Sequence, residues 1–175
     1  KELGMRVWMQ SSSNSAVIYS EYLDRLHQDF DAKPISSESS QLYCQFAITL
    51  YRGGRYDLAE PILEQIVSWR DSKGRPSKKM IYPLASYLLA TLKVRNGDAP
   101  KALALARDAL DFINKHPETD IEVAIEIFQF DRGGGASINN SNVGRFTAEL
   151  IKNLRENPQT KFKSPYDPKY FNKKQ

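Results

Sequence analysis

Apolar residues recur at three- and four-residue intervals through most of the chain, the pattern of helices with one buried face. Val17, Ile18, Tyr22, Leu23 and Leu26 predict a helix over about 14–30, capped by Asn14 or Ser15 and ended where Pro34 cannot continue it. Tyr43, Phe46, Ala47 and Leu50 predict a second helix over about 39–52, closed by Gly53-Gly54. Leu58, Ala59, Ile62, Leu63, Ile66 and Val67 predict a third over about 56–69, where Pro61 should kink the helix or delay its start. After the polar run DSKGRPSKK, a helix over about 83–95 opens on Pro83, whose missing N–H does no harm there. It carries Leu84, Tyr87, Leu88, Ala90, Leu92 and Val94. Asn96-Gly97 stops it. Asp98 then caps a helix running to about Lys115, with Pro100 in its first turn.

Residues 121–130 read two ways: Ile121, Val123, Ile125 and Ile127 alternate as in a strand, while Ala124, Ile125 and Phe128 suit a helix, the reading favoured by the helical surroundings. The loop RGGGASINNSN follows, then a helix over about 143–157 with Phe146, Leu150, Ile151 and Leu154. Beyond Pro158 periodicity fades, leaving a tail that is either extended against the body or disordered. The first ten residues fit a short helix or strand.

Two of these segments align at an offset of 43 residues. Gly54 matches Gly97, Arg52 matches Arg95, Ala47 matches Ala90 and Ala59 matches Ala102. Large apolar residues, Phe46 and Leu89, precede the first alanine of each pair. Antiparallel helices approach closely only where small residues line the crossing, and glycine lets the chain reverse between them. One such pair cannot bury its apolar face unaided, so pairs stack.

The segment YCQFAITLYRGGRYDLAEPILEQIV resembles the tetratricopeptide (TPR) family through Tyr43, Phe46, Ala47, Leu50, Gly54, Tyr56, Ala59 and Leu63. SYLLATLKVRNGDAPKALALARDAL fits less well, with Ser86 for the early aromatic, Lys93 for an apolar residue and Ala99 for the aromatic after the turn. The resemblance covers about 39–117 and extends more weakly to 157. Its repeat exceeds the usual 34 residues by the DSKGRPSKK stretch. It implies an all-α fold: an α–α superhelix of about four antiparallel helix pairs over 1–157, followed by a basic tail over 158–175. It further implies a concave groove that binds a peptide or helix of another protein. The matching groove positions are Gln41, Cys44, Ile48, Tyr51 and Arg52 from one repeat, and Leu84, Tyr87, Thr91, Val94 and Arg95 from the next. Aromatics with two arginines suit an acidic or mixed segment. The Lys and Asn pattern with which some family members clamp a C-terminal carboxylate is absent.

The net charge of +4 is concentrated at the end of the chain. Lys152, Arg155, Lys161, Lys163, Lys169, Lys173 and Lys174 face only Glu156 and Asp167 there, so the body is close to neutral. The tail and the loop residues Lys73, Arg75, Lys78 and Lys79 suggest an alternative role, contact with nucleic acid or an anionic surface, with Tyr166, Tyr170 and Phe171 stacking on bases. No catalytic constellation appears. Gly133–Gly135 lacks the Lys-Ser/Thr of a phosphate loop. His27 and His116 lie far apart, and Asp24, Glu60, Glu64, Glu122 and Glu126 read as solvated faces. No metal, cofactor or enzymatic activity is therefore expected. Cys44, the sole cysteine, forms no internal disulfide and no zinc site by itself, which fits a reducing cytoplasm without excluding the periplasm. No stretch reaches the roughly 20 apolar residues of a membrane span. The expected activity is a scaffolding module that binds another protein, with a second copy of the chain as a further candidate partner. The opening Lys1, in place of Met, suggests a processed product or an excised fragment; a fragment would be the regulatory or assembly part of a larger, bacterial protein.

Overall fold

A computed structural model of the chain describes Cys44, Ala47, Ile48, Leu50 and Tyr51, together with residues 54–69, 73–76, 81–117 and 140–167. All lie in the second of the two units into which the chain divides, Ile35–Gln175. The expectations for residues 1–34, for 121–130 and its following glycine loop, and for 168–175 lie outside the described residues. Among the described residues every regular element is a helix: α1 (Tyr56–Ser68), α2 (Ile81–Arg95), α3 (Ala99–Lys115) and α4 (Asn140–Glu156). Cys44, Ala47, Ile48, Leu50 and Tyr51 are helical as well. No helix among them is long and apolar enough to cross a membrane.

α2 is the hub, packing against α1, α3 and α4, while α3 packs on α4. Its side chains from Tyr82 to Lys93 are all buried, as expected of a helix apolar on nearly every side. It begins two residues before the predicted start. Pro83 therefore falls in the first turn, where backbone donors have no partner in any case. α1 buries Ala59, Ile62, Leu63 and Ile66 at one-face spacing. It begins at Tyr56 and runs through Pro61, which stands on the exposed side, so the proline does not delay the start. α3 turns a stripe of small residues inward, Ala102, Ala106 and Ala109. The Ser86 hydroxyl of α2 donates to the Leu105 carbonyl at 2.9 Å. α4 buries Val143, Phe146, Thr147, Leu150, Ile151 and Leu154.

The two glycine turns share one geometry. Gly54 and Gly97 have φ of 75° and 78°. Gly54 N–H donates to Tyr51 and Arg55 N–H to Leu50, at 3.1 and 2.9 Å. Gly97 N–H donates to Val94 and Asp98 N–H to Lys93, at 3.0 and 2.8 Å. This paired bonding closes a helix in the Schellman manner, with glycine in the left-handed position. The next residue then starts the following helix: Arg55 accepts from Ala59 N–H, and Asp98 from Ala102 N–H, both at 3.0 Å. Asp98 adds a side-chain cap to Lys101 N–H at 3.1 Å, whereas Arg55 makes no side-chain cap bond. Ala47, Ala59, Ala90 and Ala102 are all fully buried.

Candidate functional site

α2 carries Tyr87, Thr91 and Arg95 four residues apart, so they form one row along the helix. Tyr51 lies beside this row from the preceding helical segment, its hydroxyl 2.8 Å from Thr91 Oγ1. Arg95, the last residue of α2, lays its guanidinium 4.5 Å above the Tyr56 ring. Tyr56 in turn meets Tyr51 edge to face, 5.2 Å between centroids. This cation–π contact aims the arginine and leaves its hydrogen-bonding edge free for a carboxylate.

The carboxylate belongs to the chain itself. After α4, the turn Asn157–Thr160 reverses the backbone, with Thr160 N–H on the Asn157 carbonyl at 3.0 Å and Gln159 N–H on Asn157 Oδ1 at 3.0 Å. Asn at the first position and Pro158 at the second suit this turn. The following strap ends in a second turn, Ser164-Pro165-Tyr166-Asp167. There Asp167 N–H donates to the Ser164 carbonyl at 3.0 Å, Ser164 N–H to Asp167 Oδ2 at 2.9 Å, and Tyr166 N–H to Ser164 Oγ at 3.2 Å.

The turn is held at three points. Tyr51 donates to Asp167 Oδ1 at 2.8 Å, since an ionised carboxylate only accepts. The tyrosine oxygen then accepts from Thr91, whose proton is shared with the Leu88 carbonyl at 2.7 Å. Arg95 Nη2 meets Asp167 Oδ2 at 2.8 Å. The Ser164 and Tyr87 hydroxyls lie 3.2 Å apart, and the Tyr166 ring is enclosed edge to face by Tyr87 and Phe146, at 6.0 and 5.7 Å. Burial, reinforced by the Asp167 charge, holds the Tyr51 hydroxyl well above the ordinary tyrosine range. Burial does the same for Tyr87. Both therefore remain neutral across physiological pH.

Between the strap and the two glycine turns lies an open groove of about 930 Å³, lined by Gly54, Tyr56, Arg95 and Gly97 on one side and by Thr160 and Phe162 on the other. The strap bridges this space without filling it. A second concavity, about 540 Å³ between α3 and α4, presents Arg107, Asp111, Lys152, Arg155 and Glu156. Three of these charges pair along their own helices, Asp111 with Lys115 at 2.7 Å and Lys152 with Glu156 at 3.9 Å.

Of the groove residues expected from sequence, Tyr51, Tyr87, Thr91 and Arg95 converge on the Ser164–Asp167 turn. Cys44 and Ile48 are enclosed in the core, 0% and 1% exposed, and burial pushes the Cys44 thiol up to about 12. Gln41 and Arg52 lie outside the described residues. Ser164 and Asp167 were missed and Tyr166 was expected to stack on bases, although a signal was present: a serine–proline turn ending in the one acid that follows Glu156.

Glu64 is exposed, as expected, while Glu60 is half-buried, and both receive the Lys93 ammonium, Glu64 at 2.7 Å. Asn96 donates to Glu60 Oε2 at 3.3 Å. Burial opposes the lysine's charge, but the two carboxylates outweigh it, and its pKa lies above the ordinary value. Lys93 occupies the position of Leu50 in the first repeat, so this departure from the repeat pattern is a partnered one. Among the described residues no cluster of His, Cys, Asp and Glu has the makings of a metal site.

No family model matches the chain, and no curated protein or solved structure matches it either.

Proposed function

We propose that the chain is a TPR-like protein-binding module whose groove, between the two glycine-turn hairpins, holds a segment of another protein. The observation that carries this reading is the strap: Tyr51, Tyr87 and Arg95 bind a folded turn of peptide through their side chains. The two turns of matching backbone geometry support the repeat reading, as do the buried alanines on either side of them. The alternative, nucleic-acid binding through the basic loop and tail, loses one of its three stacking rings, because Tyr166 is 2% exposed, its ring enclosed by Tyr87 and Phe146.

The test uses the full chain and its Arg95→Glu variant as baits in a native lysate. A partner protein retained by the parent and lost with Arg95→Glu, with modest salt dependence, is the expected result. Capture of nucleic acid that falls by orders of magnitude between about 50 and 200 mM salt, with Arg95→Glu behaving like the parent, contradicts it.

A further inference from the structure

The seat of the strap has a definite chemistry. It offers an aromatic slot between Tyr87 and Phe146. Next to this stand two donors for one carboxylate, Tyr51 at 2.8 Å and Arg95 at 2.8 Å. The ligand side is equally definite: a four-residue turn whose serine and aspartate fold it on themselves before the body contributes anything. Serine at the first position and proline at the second preform that turn, so little freedom is lost on docking.

We infer that the groove is a receptor for a Ser-Pro-aromatic-Asp turn on a partner protein, and that Ser164–Asp167 is a resident copy of this ligand which the partner displaces. This rests on the protein-binding reading and specifies its ligand class. Three features favour exchange. The strap is anchored through a short turn at its end, while Lys161 and Lys163 are exposed. Open volume remains beneath it, through which an incoming segment reaches Arg95. The Asn157–Thr160 turn folds the strap back immediately after α4, giving it a high local concentration in its own groove. A tethered ligand of this kind competes at about millimolar effective concentration. The seat therefore binds an outside turn weakly until the strap is released.

The probe is a fluorescein-labelled peptide QTKFKSPYDP, titrated by polarisation with the full 175-residue chain. Release of the strap by Tyr166→Ala with Asp167→Asn is expected to tighten peptide binding at least tenfold over the parent chain. Replacing the peptide's aspartate by asparagine is expected to weaken it at least tenfold, and adding Arg95→Ala to the released chain to abolish it. Circular dichroism establishes that each variant is folded. If the double variant does not fold, Asp167→Asn, which preserves shape, takes its place in the same comparison. A folded, released chain that ignores the peptide, or that binds the aspartate and asparagine peptides alike, overturns the inference. So does parent-chain dimerisation abolished by Arg95→Ala, which would give the seat to a second copy. Arg95-dependent capture of a partner that the peptide fails to displace rejects this ligand class and leaves the protein-binding reading standing. Loss of that capture with peptide binding intact does the reverse.

Discussion

Asp167 accepts a hydrogen bond from Tyr51, meets the Arg95 guanidinium and caps its own turn at the Ser164 amide. The residues around it are held in fixed protonation states by burial, which gives the folded protein a specific alkaline weakness. An unfolded tyrosine loses its proton near pH 10, while folded Tyr51 and Tyr87 retain theirs well above that. Over this window the native state binds more protons than the unfolded one, so stability falls as pH rises. Cys44 contributes with the same sign between about 9 and about 12, and Lys93, raised above 10.5, with the same sign beyond that value. Each group steepens the fall by up to about 1.4 kcal/mol per pH unit. Urea unfolding of the parent chain and of Tyr51→Phe and Tyr87→Phe between pH 8 and 11 measures this. Each phenylalanine variant should lose stability less steeply above pH 10, and equal slopes would show that burial does not hold these hydroxyls protonated.

At the scale of elements, the repeat is a backbone feature written in few residues. Gly54 and Gly97 were legible as turn glycines because a left-handed residue with two reciprocal bonds strongly favours glycine. Alanine at either position meets no atom within 4 Å, so the expected cost is conformational, about 1 kcal/mol, and similar in both turns. Thermal unfolding of Gly54→Ala and Gly97→Ala measures it. A large cost at one turn and none at the other would mean that the repeats are not equivalent. The buried alanines carry a steric cost: Ala59→Leu and Ala102→Leu should each lose about 1–3 kcal/mol through overpacking, read from denaturant midpoints, and a neutral result would place both outside the helix crossing. Lys93 shows the limit of pattern reading. In sequence it is a defect at an apolar position. Only the approach of Glu60 and Glu64 from α1 makes it a partnered charge, and that tertiary pairing has no local signal.

At the scale of the molecule, helix type and the α1 and α3 boundaries followed from apolar periodicity, proline and the Asp98 cap, all of which act within a few residues, whereas α4 starts at Asn140, three residues before its first apolar position. The strap did not. Residues 158–167 have no helical period and a basic composition, so local patterns left open whether they dock. What docks them lies far along the chain: Tyr51 is 116 residues from Asp167, and Tyr87 is 77 from Ser164. That Tyr87, Thr91 and Arg95 share one row of α2 was legible from their four-residue spacing, while the Ser-Pro turn that meets them left a local signal but none of its distant partners. The most direct test of the site is a double-mutant cycle on the unfolding free energy of the full chain, with Arg95→Ala, Asp167→Ala and both together. A coupling of about 1 kcal/mol or more is expected for a charge-assisted pair fixed by a stacked ring. Additivity within about 0.5 kcal/mol would contradict the arrangement and remove the strap from the groove.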